Sequence, residues 1–173
     1  IAAKGPIRIG AVLPFSGGLE LFGNQAKIGL DLAVAEINAA GGILGSKVEV
    51  LYQDNKTDPK TSVERTTQLI QRDKVDVIIG TVHSGVAMGM AKVIREAGTL
   101  WINPNAGAGA VTGALCAPNI FRTSFSNWQT THALGKVLKA KGHKNAVFIT
   151  WKYAAGEEMM EGFKEGFEKE GGK

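Results

Sequence analysis

Ser84 and the run Asn105-Ala106-Gly107-Ala108 are the residues of this chain best suited to hold an anion. Ser84 offers a hydroxyl at the start of an apolar-periodic segment, where the first backbone N–H groups of a helix have no internal acceptor. The second stretch has side chains so small that a ligand can reach the backbone amides of Ala106, Gly107 and Ala108 directly. Together they could grip a carboxylate with no Lys or Arg. A plainer assignment stays open, in which Ser84 is only a helix cap and the Gly/Ala run only a loop. Aromatic side chains stand near both: Phe22 upstream and Tyr153 downstream, suited to wall a small-molecule site, with Trp151 a weaker candidate. Trp128 is a weaker candidate of the same kind, and Trp101, inside a strand, belongs to the core.

Other chemistries fit poorly. His83 and Ser84 are adjacent, and neighbours seldom aim their side chains at each other; no G-x-S-x-G turn surrounds Ser84. Gly107 to Gly113 reads G-x-G-x-x-x-G, follows the fourth strand instead of the first, and has Asn127 and Gln129 where an acidic ribose ligand would stand. Asp54 and Asp58 lack the Gly and the closing Glu of a calcium loop. They fit a strand end and a helix cap. His83, His132 and His143 share no metal-ligand spacing, and a lone Cys116 excludes an intrachain disulfide. No cofactor, metal or catalytic set is expected.

These residues must be positioned by an alternation of short β-branched runs and helical patterns. Strands are expected at Ile7–Leu13, Val48–Tyr52, Val75–Gly80, Leu100–Asn103 and Ile120–Thr123. Between them lie a helix over Asn24–Ala40, with Ala26, Gly29, Leu30, Ala33, Val34 and Ile37 inward, a helix starting at Asp58-Pro59, and one capped by Ser84 and ended by Gly98. Four or five β-α repeats imply an α/β fold, a doubly wound parallel sheet with flanking helices. In such a sheet ligands bind beyond the carboxyl ends of the strands. That rule selects the loops 14–22, 81–84, 104–110 and 151–156.

From Ser126 a second unit begins, with a helix carrying Leu134, Val137 and Leu138, a strand Ala146–Thr150, and a helix carrying Met159, Met160, Phe163 and Phe167. The expected division is 1–123 as a first ligand-binding lobe and 124–173 as the start of a second, partly present lobe. An unfinished βαβ at the end leads us to expect an N-terminal part of a longer protein.

Composition agrees with a globular α/β chain. Of 173 residues 23 are glycine, about 13%, against an ordinary level of about 7%. A net charge of +4 is dispersed. Lys136, Lys139, Lys141 and Lys144 alternate with apolar helix positions, so no nucleic-acid footprint is expected. No apolar stretch approaches membrane-span length.

Several motifs recur in order: Ile9-Gly-Ala-Val-Leu-Pro-Phe-Ser-Gly17, Phe22-Gly, Ala35-Glu-Ile-Asn-Ala-Ala-Gly-Gly-Ile43, Asp54-x-x-x-Asp58-Pro59, Val77-Ile-Ile-Gly80, Ile102-Asn-Pro104 and Tyr153-Ala-Ala-Gly156. From about residue 7 to the end the chain resembles the type 1 periplasmic binding proteins, in the leucine/isoleucine/valine-binding branch that serves ABC importers. The resemblance implies two lobes closing on a small ligand by a hinge, no enzyme activity, delivery to a membrane permease, and a periplasmic or extracellular location with a signal peptide removed. It implies a carboxylate held by the Ser84 hydroxyl and the backbone of Ala106 with Gly107 or Ala108, beside Phe22; His83, next to Ser84, is a further ligand-binding candidate. The family's second-lobe contact often reads Tyr-Gly. Here Ala155 precedes Gly156, leaving Tyr153 or Trp151 to substitute, and the acidic partner of an α-ammonium would lie beyond Lys173. An enlarged, aromatic-lined pocket favours an aromatic carboxylate beside branched-chain or other hydrophobic amino acids. A ligand-sensing domain of a signalling receptor is the alternative use of the same fold.

Overall fold

The computed structural model describes residues 5–169 and 171–172. Its elements run β1 (Ile7–Leu13), α1 (Glu20–Ala39), β2 (Val48–Asp54), α2 (Pro59–Gln71), β3 (Val77–Ile79), α3 (Ser84–Ala97), β4 (Leu100–Asn103), α4 (Gly109–Thr112), β5 (Ile120–Arg122), α5 (Asn127–Ala140) and α6 (Ala154–Glu168). The strands form one sheet in the order β2-β1-β3-β4-β5, and every pairing is parallel. Ile9 pairs with Val50 on one side and Val77 on the other. The chain steps outward from β1 to β2 and then back past β1 to β3. Right-handed crossovers therefore put α1 on one face and α2 and α3 on the other.

The core lies on the α2/α3 face. Val12, Ile78 and Trp101 from the sheet meet Leu69 of α2 and Val86, Met90 and Ile94 of α3, all at 0% exposure. Trp101 satisfies its buried indole by donating Nε1–H to the Gly80 carbonyl at 2.5 Å. Local signals explain the boundaries. Asp58 caps α2, its Oδ1 accepting from the Thr61 amide at 2.6 Å, with Pro59 at the first helical position. Gly98 ends α3 in the left-handed region at φ 69°. Ser126 and Gln129 make a reciprocal capping box at the start of α5.

Several expectations are corrected. Helix α1 starts at Glu20, so Phe22 is helical. Its expected inward face is only partly covered: Gly29 and Ala33 are exposed, and Gly23 is its one buried residue. On α2 the sequence pattern points Val63, Thr66, Thr67 and Ile70 inward, whereas the covered set is Ser62, Thr66 and Leu69, with Val63, Thr67 and Ile70 half-buried. The ladder of β3 is shorter than expected, and α4 interrupts the Gly/Ala-rich loop. Ser84 is the first residue of α3, while the cap is His83, whose Nδ1 accepts from the Val86 amide at 3.3 Å. The expected strand Ala146–Thr150 is in no sheet. A strand is held by its neighbours' backbone groups, and among the described residues no strand lies beside this segment, so Val147 and Ile149 stand 89% and 90% exposed. For the same reason Leu134 and Val137 on α5 are exposed, while α5 buries Asn127, Thr131 and Gly135.

Candidate functional site

The strand order reverses at β1 and β3, and the crevice beyond their carboxyl ends is where such sheets bind ligands. A cleft of about 320 Å³ opens there. Its floor comes from Val82, His83 and Ser84 after β3 and from Asn105 and Gly107 after β4. Leu19 and Phe22 close one side, and Phe125 and Asn127 enter from the approach to α5. Trp151, Tyr153, Ala155 and Met159 cover it from the start of α6. A larger opening of about 460 Å³ runs along Phe148–Lys152 and Met160. It is the trough beside the unpaired segment and shares only Trp151 with the cleft.

Each loop is fixed from behind. After β1, the Asp54 carboxylate accepts from the amides of Phe15 (2.9 Å), Ser16 (3.2 Å) and Lys56 (2.9 Å) and from the Ser16 hydroxyl (2.6 Å). Burial pushes this carboxyl up, and those hydrogen bonds outweigh it, leaving Asp54 below the usual carboxylate range. After β3, the fully buried Asn55 donates to the Thr81 hydroxyl at 2.7 Å. After β4, Asn103, also fully buried, accepts from the Asn105 and Ala106 amides (3.3 and 3.0 Å) and donates to the Ala106 carbonyl (2.8 Å). The Ala106 amide also reaches the Thr81 carbonyl at 3.0 Å. Arg122 donates to the Ala108 carbonyl at 2.8 Å, placing a positive charge behind the loop.

This scaffold sorts the expected binding residues. Phe22, His83, Ser84, Gly107, Trp151, Tyr153 and Ala155 all come to the one cleft. Ala106 and Ala108 are fully buried and do not line it. The Ala106 amide, read as a ligand contact, is instead committed to Asn103 and Thr81. The amides of Gly107 and Ala108 have no acceptor among the described residues. Gly107 is irreplaceable by shape, since a Cβ there would stand 2.3 Å from Asn127 Oδ1. Trp128 turns away, stacking on His132 at 4.1 Å and donating to Glu165 at 2.8 Å.

The cleft is built of neutral donors and rings. His83 and Tyr153 stack across it, their centroids 4.7 Å apart and planes 22° apart, and Trp151 lies 6.4 Å from Tyr153. Burial pushes the His83 imidazole down and the Tyr153 phenol up, so both are uncharged at neutral pH. Because His83 Nδ1 accepts from Val86, the ring hydrogen of the neutral form sits on Nε2. Ser84 is 3% exposed, and its Oγ accepts from Asn127 Nδ2 at 3.1 Å, leaving its own hydrogen without a protein acceptor among the described residues. A hydroxyl, free amides and an imidazole N–H can stabilise a carboxylate through charge-assisted hydrogen bonds. Sequence reasoning missed Asn127 and Glu158. Glu158 accepts from both Asn127 and the Gly109 amide. Asn127 had a faint signal in the capping box beside it; Glu158 had none, being one of several exposed-looking acids on α6.

The periplasmic binding protein family profile matches residues 6–173. A Leu/Ile/Val-binding protein homolog of Brucella melitensis is 34% identical over 171 residues, covering 98% of this chain and 46% of the relative. Among solved structures, a solute-binding protein of an ABC transporter from R. palustris in complex with benzoate is 47% identical with a TM-score of 0.91, covering 98% of this chain and 46% of that one. A branched-chain amino acid transporter substrate-binding protein from Streptococcus pneumoniae, in complex with isoleucine, is 29% identical with a TM-score of 0.85, covering 94% and 47%. The chain thus spans about half the length of the relatives it matches.

Proposed function

The chain belongs to the periplasmic binding protein family, and on that premise we propose that it forms the ligand-gripping part of an ABC-importer solute-binding protein for small carboxylates, aromatic acids foremost. One observation carries the reading. Neutral donors at Ser84 and Gly107 border a cleft whose wall is the His83–Tyr153 stack with Trp151 and Phe22. A benzoate-sized ring matches that wall in shape and polarity, and its carboxylate matches the donors. The 47% identical relative in complex with benzoate supports the same class. Branched-chain or other hydrophobic amino acids are the second class, supported by the relative in complex with isoleucine.

The reading involves binding without a chemical step. Residues 1–123 form a first lobe and 124–173 open a second, and the ligand is enclosed by hinge closure that brings Tyr153 onto His83. Capture takes place in the periplasm or outside the cell, and a membrane permease receives the ligand. Among the described residues no helix is long and apolar enough to cross a membrane itself. The test is calorimetry of the full-length protein against benzoate, 4-hydroxybenzoate, leucine and isoleucine. We expect benzoate to bind tighter than about 10 μM, roughly −7 kcal/mol. Affinities weaker than about 1 mM across the whole set would overturn the assignment.

A further inference from the structure

We propose that Glu158 is a positioning residue that sets which way the Ser84 hydroxyl faces, acting through the side-chain amide of Asn127. The proposal rests on the carboxylate-binding reading above and concerns how that selectivity is produced.

The geometry forms a chain of three side chains from three separate elements. Glu158 on α6 places Oε2 2.8 Å from Asn127 Nδ2, and both its oxygens stand 3.0 Å from the Gly109 amide. Asn127, at the first position of α5 and 2% exposed, points the same Nδ2 at Ser84 Oγ, 3.1 Å away. The two hydrogens of that NH₂ group thus serve two acceptors, one each. An ionised carboxylate can only accept, so it dictates the orientation of the Asn127 amide. Turning the amide over would place Oδ1 against the carboxylate and leave two acceptors facing each other in a site shielded from water.

The orientation is passed on. Since Asn127 offers Ser84 a donor, Ser84 Oγ accepts there, and its own hydrogen is left to point into the cleft. A ligand carboxylate, which only accepts, meets a donor. Without the negative charge at 158 the Asn127 amide is free to turn. Ser84 would then donate to Oδ1 and show lone pairs to the cleft, repelling a carboxylate and favouring a donor. Glu158 therefore sets the polarity of a contact it does not touch. It also joins α6 to the loop after β4, so the polarity is set only when the α6 side is docked on the cleft.

The test uses the full-length protein with Glu158→Gln, Glu158→Ala, Ser84→Ala and the Glu158→Gln/Ser84→Ala pair. Each is titrated with benzoate and with benzamide, whose shape is similar and whose NH₂ donates. Circular dichroism and thermal unfolding verify that every variant is folded. At least one Glu158 variant is expected to weaken benzoate binding by about 10- to 100-fold, the range of a hydrogen bond to a charged group. The same variant should change benzamide binding by less than about threefold, and Glu158→Gln should have little further effect once Ser84 is Ala. Equal losses for the two ligands, the same loss with and without the Ser84 hydroxyl, or no loss in either Glu158 variant overturns the relay and leaves the carboxylate reading standing. A wild-type protein that binds no carboxylate overturns that reading and the relay together.

Discussion

His83 holds two positions at once: cap of α3 through Nδ1, and half of the stack that crosses the cleft through its ring. The cap favours the neutral imidazole, since a protonated Nδ1 has no lone pair with which to accept. Burial lowers its folded-state pKa below the ordinary value of 6.5, so as pH falls the unfolded chain binds the proton first and the folded state is disfavoured. Above about 6.5 the stabilising effect is fully present. It is lost as pH drops through the lowered folded-state value. We therefore expect the unfolding midpoint to fall on acidification below pH 6.5, and His83→Asn, which can still cap, to flatten that dependence; a variant with the same pH slope as wild type would refute it. At this scale part of the lining of the cleft was legible in the sequence. Phe22 and Ser84 stand just past the ends of β1 and β3, where the α/β rule looks first. Glu158 and Asn127 were not legible, because their partners lie 31 and 43 residues away in sequence and no local spacing encodes such a pairing. Ala106 differs: the Asn103 side chain that takes up its amide is only three residues away, a local Asn turn whose competition for that amide the small-residue reading passed over.

Elements fail to follow their sequence patterns where a packing partner decides the outcome. Helices α5 and α6 approach through glycines, not through the large apolar residues that the pattern emphasises. A Cβ on Gly166 would stand 2.2 Å from the His132 carbonyl, and one on Gly135 2.6 Å from the Phe163 carbonyl. Both obstacles are backbone, which cannot rotate aside. Gly166→Ala should therefore destabilise the protein by roughly 1–3 kcal/mol despite alanine's better helix propensity. Gly29→Ala on α1 provides the contrast, since nothing lies within 4 Å of the new methyl, and should stabilise by about 0.5–1 kcal/mol. Thermal unfolding of the two variants checks both signs; a stabilising Gly166→Ala would mean the helices are not so closely packed. The strands and α2 and α3 were legible because β-branched runs, caps and a buried face coincide there. The inward face of α1 was not, because Leu21, Ile28 and Leu32 form a second apolar stripe that is exposed in the fold.

For the whole molecule, the contrast is between a five-stranded sheet with a continuous core and a segment at 146–150 that, among the described residues, has no strand beside it. Produced by itself, a polypeptide of residues 1–173 should exchange the amides of residues 146–150 rapidly, while those of β1 and β3 are protected. It should also bind an anilinonaphthalene dye through the exposed Val147, Ile149 and Trp151. Slow exchange over 146–150 would contradict this. The fold class was legible at this scale because alternation of strand and helix admits few topologies, whereas the pairing of 146–150 depends on neighbours the pattern does not name.

The strand order also bears on how the chain folds as it is made. Every pairing in the sheet is complete once Arg122 is available, and only β3 must find a partner other than its predecessor in sequence. β1 therefore keeps one edge vacant across the synthesis of α1, β2 and α2. From β3 onward each new strand docks beside the one before it. The sheet can grow from the amino-terminal end in the direction of synthesis, with the β1 edge and then the outer edges of β3 and β4 vacant in turn and the loops that grip the ligand completed in the order in which they emerge.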